Sequence, residues 1–200
     1  MRAAMSIGVL ALQGDFEAHE DALRRAGAEP KPVRTSAELA DVDGLIIPGG
    51  ESTTMLKLID QENLFEPLRR FGQEKPIFGT CAGAILLAKS VSRPEQRSLG
   101  LMDLDVERNA YGRQIDSRIV RLHPEAGSGL EGRELEAVFI RAPIIRRLGE
   151  DARVLARYQD APVLVEQGRH MAATFHPELT RDERIHRRFV EKVASLAGVG

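Results

Sequence analysis

Cys81 is the only cysteine among 200 residues, and its neighbours are those of a nucleophile. Gly79-Thr80-Cys81-Ala82-Gly83 has the form G-x-C-x-G and lies between an apolar run at 76–78 and a helix-like run at 84–88. It is the thiol counterpart of a nucleophile elbow, a strand-to-helix turn so sharp that the flanking residues must be small. Gly79, Ala82 and Gly83 meet that demand. A helix N-terminus beneath the sulfur favours a thiolate. The N–H of Ala82 points where an oxyanion would form. A sole buried cysteine is otherwise a small hydrophobe; the strand–elbow–helix setting favours the nucleophile.

A thiol nucleophile needs a base, and the base needs a group to orient it. His176-Pro177-Glu178 supplies both. Pro177 pushes His176 towards an extended conformation. Residues two apart in extended chain project the same way, which sets Glu178 beside the imidazole. The tripeptide also occurs as His123-Pro124-Glu125, which runs into the loose stretch Ala126-Gly127-Ser128-Gly129. The second copy instead sits between a small-residue strand at 172–175 and a helix with a Thr180/Glu183 capping box, a rigid setting. His176 is therefore the expected base, and His123 the dispensable copy.

Pro48-Gly49-Gly50-Glu51-Ser52-Thr53-Thr54 is a third candidate segment. Its glycines allow close backbone approach to a ligand, and its N–H groups can complete an oxyanion hole or hold a carboxylate. Alone, it reads better as an ordinary strand-to-helix turn capped by Ser52 or Thr53. No Gly-Lys-Ser/Thr follows, and this loop is not a G-x-G-x-x-G, so it supports neither a P-loop nor a dinucleotide site. Arg108 and Arg141 end or follow apolar runs, where each can pair with a substrate carboxylate or simply be solvated. His19, His170 and His186 lack partners at metal-ligand spacing and read as surface or core histidines; no metal is expected.

The elements that must position these groups alternate. Strands are predicted at 7–12, 31–33, 44–47 and 76–78, with helices at 16–26, from 52 or 53 through Ile59, at 64–71 and at 84–88. This rhythm predicts an α/β fold, a three-layer arrangement whose mainly parallel central sheet carries helices on both faces. Further strands are predicted at 101–107, 115–122, 137–140 and 153–158. A hairpin is expected from 163–166 and 170–175, then a helix with Ile185, Phe189 and Val193 inward. With no repeats and no long linker, residues 1–200 are expected to form a single domain.

Composition narrows the class. Hydrophobic residues make up 42% and charged residues 29%, as in ordinary globular proteins. The 28 basic and 30 acidic residues nearly cancel, which points to neither nucleic-acid nor membrane partners. One cysteine excludes an internal disulfide, and the apolar run at 7–12 is too short to span a bilayer. A cytoplasmic location is expected.

Together, the Gly-Thr-Cys-Ala-Gly elbow, the distal His-Pro-Glu and the Pro-Gly-Gly-Glu-Ser-Thr loop resemble class I glutamine amidotransferases, with their flavodoxin-like fold. More narrowly, the chain resembles the glutaminase subunits of pyridoxal 5′-phosphate synthase complexes. That match rests on the segments at 8–15, 48–54, 106–112, 139–143 and 175–179. Related glutaminases of guanylate or histidine synthesis usually carry Leu after the nucleophile, where this chain has Ala82. The family does not usually carry His-Pro-Glu ahead of Phe139, which marks residues 123–125 as incidental.

The resemblance implies Cys81, His176 and Glu178 as a catalytic triad. It implies a glutamine site lined by Gly50, Glu51, Ser52, Arg108, Ile140 and Arg141, with Gly50 and Ala82 at the oxyanion hole. It further implies hydrolysis of L-glutamine to glutamate and ammonia, without a cofactor of its own. The ammonia would pass to a synthase subunit that makes pyridoxal 5′-phosphate (vitamin B6) and that also activates the glutaminase. Two alternatives stand beside it: a glutaminase serving another ammonia-using synthase, and a non-enzymatic cysteine redox or stress protein on a similar scaffold.

Overall fold

Four apolar runs, each too buried to alternate, form the middle of the molecule. In the computed structural model, which describes residues 5–108 and 118–198, these are β1 (Ser6–Leu10), β3 (Gly44–Ile47), β4 (Ile77–Thr80) and β12 (His170–Ala173). Every residue in them is buried, as expected for strands covered on both faces. With β2 (Glu29–Val33) they pair in parallel in the order β2-β1-β3-β4-β12. Antiparallel β11 (Ala161–Gln167) and β10 (Ala152–Tyr158) extend the sheet to seven strands.

Successive side chains of a strand leave on opposite faces. Leu45 and Ile47 enter one core with Met55, Ile59, Leu68 and Leu86. Ile46 and Phe78 enter the other with Leu23, Phe175, Ile185, Phe189 and Val193. The first core is covered by α3 (Ser52–Gln61), α4 (Phe65–Glu74) and α5 (Ala82–Leu87). The second is covered by α1 (Phe16–Arg25) and α6 (Arg184–Leu196). Three layers result. A small sheet of β5 (Ala88–Ser92), β6 (Met102–Glu107) and β9 (Ile144–Leu148), and a hairpin of β7 (Arg118–Leu122) and β8 (Leu135–Phe139), flank them.

Several local expectations are corrected. β1 stops at Leu10, while β4 runs on to Thr80, so the elbow turn falls on Cys81 itself. Glu51, rather than Ser52 or Thr53, caps α3; its longer carboxylate accepts from both the Thr53 and Thr54 N–H groups. The Thr180/Glu183 capping box does not form. Thr180 Oγ1 instead donates to the Pro177 carbonyl and accepts from the Asp182 N–H, so α6 starts only at Arg184. The short α2 (Ser36–Ala40), β5 and β9 were not anticipated. Residues 109–117 of the expected strand at 115–122 and of the segment at 106–112 lie outside the described residues.

For function, the strand order is what counts. In open parallel sheets, ligands bind beyond the carboxyl ends of the strands. Neighbours β1, β3, β4 and β12 deliver there, side by side, the Gln13-Gly14-Asp15 turn, the Gly49-Gly50 loop, Cys81 and the approach to His176.

Candidate active site

Cys81 occupies a conformation that L-residues rarely adopt, φ 49° and ψ −105°. Such strain persists only where the surroundings hold it in place. Here its N–H donates to the Ala173 carbonyl at 2.8 Å and its carbonyl accepts from the Ile85 N–H at 3.2 Å. The small neighbours are obligatory: a Cβ at Gly79 would lie 2.5 Å from the Gly83 carbonyl, and one at Gly83 would lie 2.0 Å from the Ile47 carbonyl oxygen. As the first residue of α5, Ala82 offers an N–H with no acceptor inside the helix.

His176 follows β12 and is anchored by its N–H, which donates to the Val138 carbonyl at 2.8 Å. Its imidazole is buried, beside Cys81 on one side and hydrogen-bonded to Glu178 on the other, where Nδ1 donates to Oε1 at 2.7 Å. Burial alone would lower the imidazole's pKa, but Cys81 and Glu178 outweigh it and push the value up to about 10. The route to this pairing differs from expectation. Pro177–Leu179 is a 3-10 turn, so Glu178 reaches back from that turn instead of lying along extended chain.

The other His-Pro-Glu copy is surface. The His123 side chain is 83% exposed and faces Glu134 at 3.2 Å, while Glu125 pairs with Arg157 at 3.3 Å.

A cavity of about 270 Å³ opens over the sulfur. Its walls include Gly50, Glu51, Ser52, Cys81, Arg108, Ile140, Arg141 and His176, every expected site residue apart from Ala82 and Glu178, which sit behind the cysteine and the histidine. A Cβ on Gly49 would fall 2.4 Å from His176 Cε1 and 3.3 Å from Cys81 Cβ, so glycine is required where the loop meets these two side chains. Gly50 has φ +139° and packs on the Gln13 amide; the Gln13 Nε2–H donates to the Glu51 carbonyl at 3.0 Å. Burial opposes ionisation of Glu51, but donors from Thr54 and Thr53 overcome it and hold its pKa at about 2. Arg108 donates to Thr53 Oγ1 at 2.9 Å and to Glu51 at 3.3 Å. The Ser52 hydroxyl donates to the Gln96 side-chain oxygen at 2.9 Å.

Four residues at the site escaped the sequence reading. Asp15 and Ile85 line the cavity. His19 and Thr80 lie fully buried behind Glu178. His19 shares the inward face of α1 with Ala22 and Leu23, so its spacing signalled burial, though not its neighbours. Among the described residues, Asp15, His176 and Glu178 bring potential metal-ligating atoms within 4.8 Å of one another. One atom of each of the last two is already engaged in the Nδ1–Oε1 hydrogen bond.

The fold and site define a class: a thiol on an elbow at the carboxyl edge of a parallel sheet, with a histidine–carboxylate pair in the segment that follows the neighbouring strand. A solved glutamine amidotransferase superposes with a TM-score of 0.86 at 49% identity, covering 94% of this chain and 98% of that one. The model of the SNO glutamine amidotransferase family matches residues 9–195, and the chain belongs to that family. It is 60% identical over 189 residues to the pyridoxal 5′-phosphate synthase subunit PdxT of Solibacter usitatus, covering 94% of this chain and 98% of that protein. It is 52% identical over 196 residues to PdxT of Thermus thermophilus, covering 96% and 98%.

Proposed function

We propose that the chain is the glutaminase subunit of a pyridoxal 5′-phosphate synthase, acting as one glutamine amidotransferase domain. It hydrolyses L-glutamine and delivers the ammonia to a synthase subunit. The observation that carries the proposal is the alignment of Cys81 and His176 on the cavity wall with Glu178 behind the imidazole, in a chain 60% identical to a PdxT.

The Cys81 thiolate attacks the side-chain amide carbon of glutamine, and the electron pair of the C=O bond moves onto oxygen. N–H groups of Ala82 and Gly50 stabilise that oxyanion. Collapse of the intermediate breaks the C–N bond while the His176 imidazolium gives its proton to the departing nitrogen, releasing ammonia and a γ-glutamyl thioester. His176, now neutral, takes a proton from water as it attacks the thioester; glutamate leaves and Cys81 is restored. Glu178 holds the ring and stabilises its charged form. Nucleophile, acid and base all come from side chains, so no cofactor enters; pyridoxal 5′-phosphate is the product of the complex.

Gly50, Glu51, Ser52, Arg108, Ile140 and Arg141 bind glutamine, with an arginine meeting its α-carboxylate. Ammonia released into water would be protonated and lost, which favours a sealed passage to the synthase. The Gly49-Gly50 segment acts as the switch by which the synthase activates the glutaminase, because glycine peptides reorient cheaply. Unaltered partner-dependent activation in Gly50→Ala would remove that role. The complex operates in the cytoplasm; among the described residues no helix is long and apolar enough to cross a membrane.

The test is glutamate production from glutamine with and without the synthase subunit, for wild type and Cys81→Ala. Wild type is expected to be stimulated by the synthase and Cys81→Ala to be inactive in both conditions. A synthase that leaves wild-type glutaminase unchanged, or an active Cys81→Ala, contradicts the proposal.

A further inference from the structure

Behind the triad runs a second buried polar chain that hydrolysis as described does not use. Glu178 accepts from His176 through Oε1, but its other oxygen, Oε2, is buried with no hydrogen-bond partner among the described residues. Only 3.4 Å from that oxygen stands Nε2 of His19, a fully buried ring from α1. The same Nε2 lies 3.0 Å from Thr80 Oγ1, the residue before the nucleophile, and Nδ1 lies 2.9 Å from Nε2 of the buried His186 in α6. His19 thus touches both the strand that carries Cys81 and the carboxylate that orients His176.

Two tautomeric arrangements fit these distances. If His19 carries its proton on Nδ1 it donates to His186, whose own proton then sits on Nδ1. That atom is buried without an acceptor, and the lone pair of His19 Nε2 faces a carboxylate. If instead His186 donates from Nε2, His19 carries its proton on Nε2, where Thr80 Oγ1 accepts it at 3.0 Å and Glu178 Oε2 lies beside it at 3.4 Å. The orphan on His186 is then a lone pair, and the carboxylate oxygen faces an N–H in place of a lone pair. A buried N–H without an acceptor and a lone pair against a carboxylate are both costly, which favours the second arrangement. Burial, then the neighbouring His186 and His176, keep His19 neutral. The titratable groups facing it are His186 from α6 and His176 and Glu178 from the 3-10 turn region; Arg25 acts on His186 from the end of α1.

We propose that His19 is a positioning residue for catalysis, its Nε2–H anchored on Thr80 and set electrostatically against the free oxygen of Glu178, with His186 setting the tautomer. The inference rests on the Cys81–His176–Glu178 assignment and extends it by one buried shell. Without the donor, the carboxylate is free to rotate about its bond to Cγ, and His176 loses its fixed orientation towards the sulfur.

The test has two parts. Steady-state glutaminase kinetics are measured in the complex with the synthase subunit for wild type, Cys81→Ala, His19→Leu and His19→Gln, whose amide nitrogen can reach where Nε2 stood. His19→Leu is expected to lower kcat roughly ten- to a hundredfold, as for other groups that orient a working histidine. Its KM stays within about twofold, and His19→Gln recovers kcat to within about threefold of wild type. Equal losses in the two His19 variants, or a His19→Leu kcat within twofold of wild type, overturn the proposal. Residual activity in Cys81→Ala would instead indict the triad. Should His19→Leu fail to fold, nitrogen-15 NMR of histidine-labelled wild-type chain decides: His19 protonated at Nε2 supports the role, and protonation at Nδ1 overturns it.

Discussion

His176 and Glu178 form the most consequential pair at the scale of single residues. The ring's pKa is raised, so the folded state binds the proton more tightly than the unfolded chain does. The stabilisation from that proton is complete below the unfolded value near 6.5 and disappears as pH rises through about 10. Removing the charge with Glu178→Gln is expected to lower that upper value, seen as a lower pH of His176 deprotonation in an NMR titration. Activity should fall roughly a hundred- to ten-thousandfold, as when the orienting carboxylate of a triad is neutralised. An unchanged titration would show that Glu178 does not support the imidazolium. The duplicate tripeptide offers an internal control. His176→Ala should reduce glutamate release to background and the exposed His123→Ala should leave it within about twofold; a comparable loss in both would mean the wrong copy was chosen.

At the scale of elements, the elbow works because α5 begins with almost no space between it and strands β3 and β4. Gly83→Ala puts a methyl 2.0 Å from the Ile47 carbonyl oxygen, a backbone atom in the sheet centre that cannot swing aside. It should cost about 1–3 kcal/mol of stability, read from chemical denaturation, and also misplace Cys81. A variant as stable and active as wild type would contradict this packing. The elbow was legible beforehand because its requirements are local: strand, small residues, helix. β9 was not legible, since its Ile-Ile-Arg-Arg-Leu shows two polar residues in a row. Arg146 pairs with Glu107 and Arg147 with Asp105, each at 2.6 Å, so the carboxylates that hold those arginines lie some forty residues back on β6. α2 buries only Leu39, too little for a periodic signal. The His19–Glu178 approach joins residues at opposite ends of the chain, and no spacing rule reaches that far.

The molecule as a whole holds three neutral histidines in its interior. Burial comes first in each case and lowers His170 to about 4 and His186 to about 3; His19 is also well below its ordinary value. Unfolding lets each take up a proton. Their contribution is present above pH 6.5 and is lost as pH falls towards the folded values, by up to about 1.4 kcal/mol per pH unit for each ring. The urea midpoint is therefore expected to drop markedly between pH 7 and 5, before most carboxylates titrate; a flat profile there would mean the rings are charged when folded. The three-layer order itself was readable from the alternation of buried runs and amphipathic helices. The residues that gather at its carboxyl edge come from positions 13 to 178, and only the parallel order β1-β3-β4-β12 makes them neighbours.

The central claim is that Cys81 carries the γ-glutamyl group between release of ammonia and release of glutamate. The most direct measurement is peptide mass spectrometry of the complex, acid-quenched during turnover of glutamine. A γ-glutamyl thioester on the peptide containing Cys81, absent in Cys81→Ala, is the predicted result. Sustained turnover with no adduct on Cys81, or with the adduct on another residue, would contradict the account.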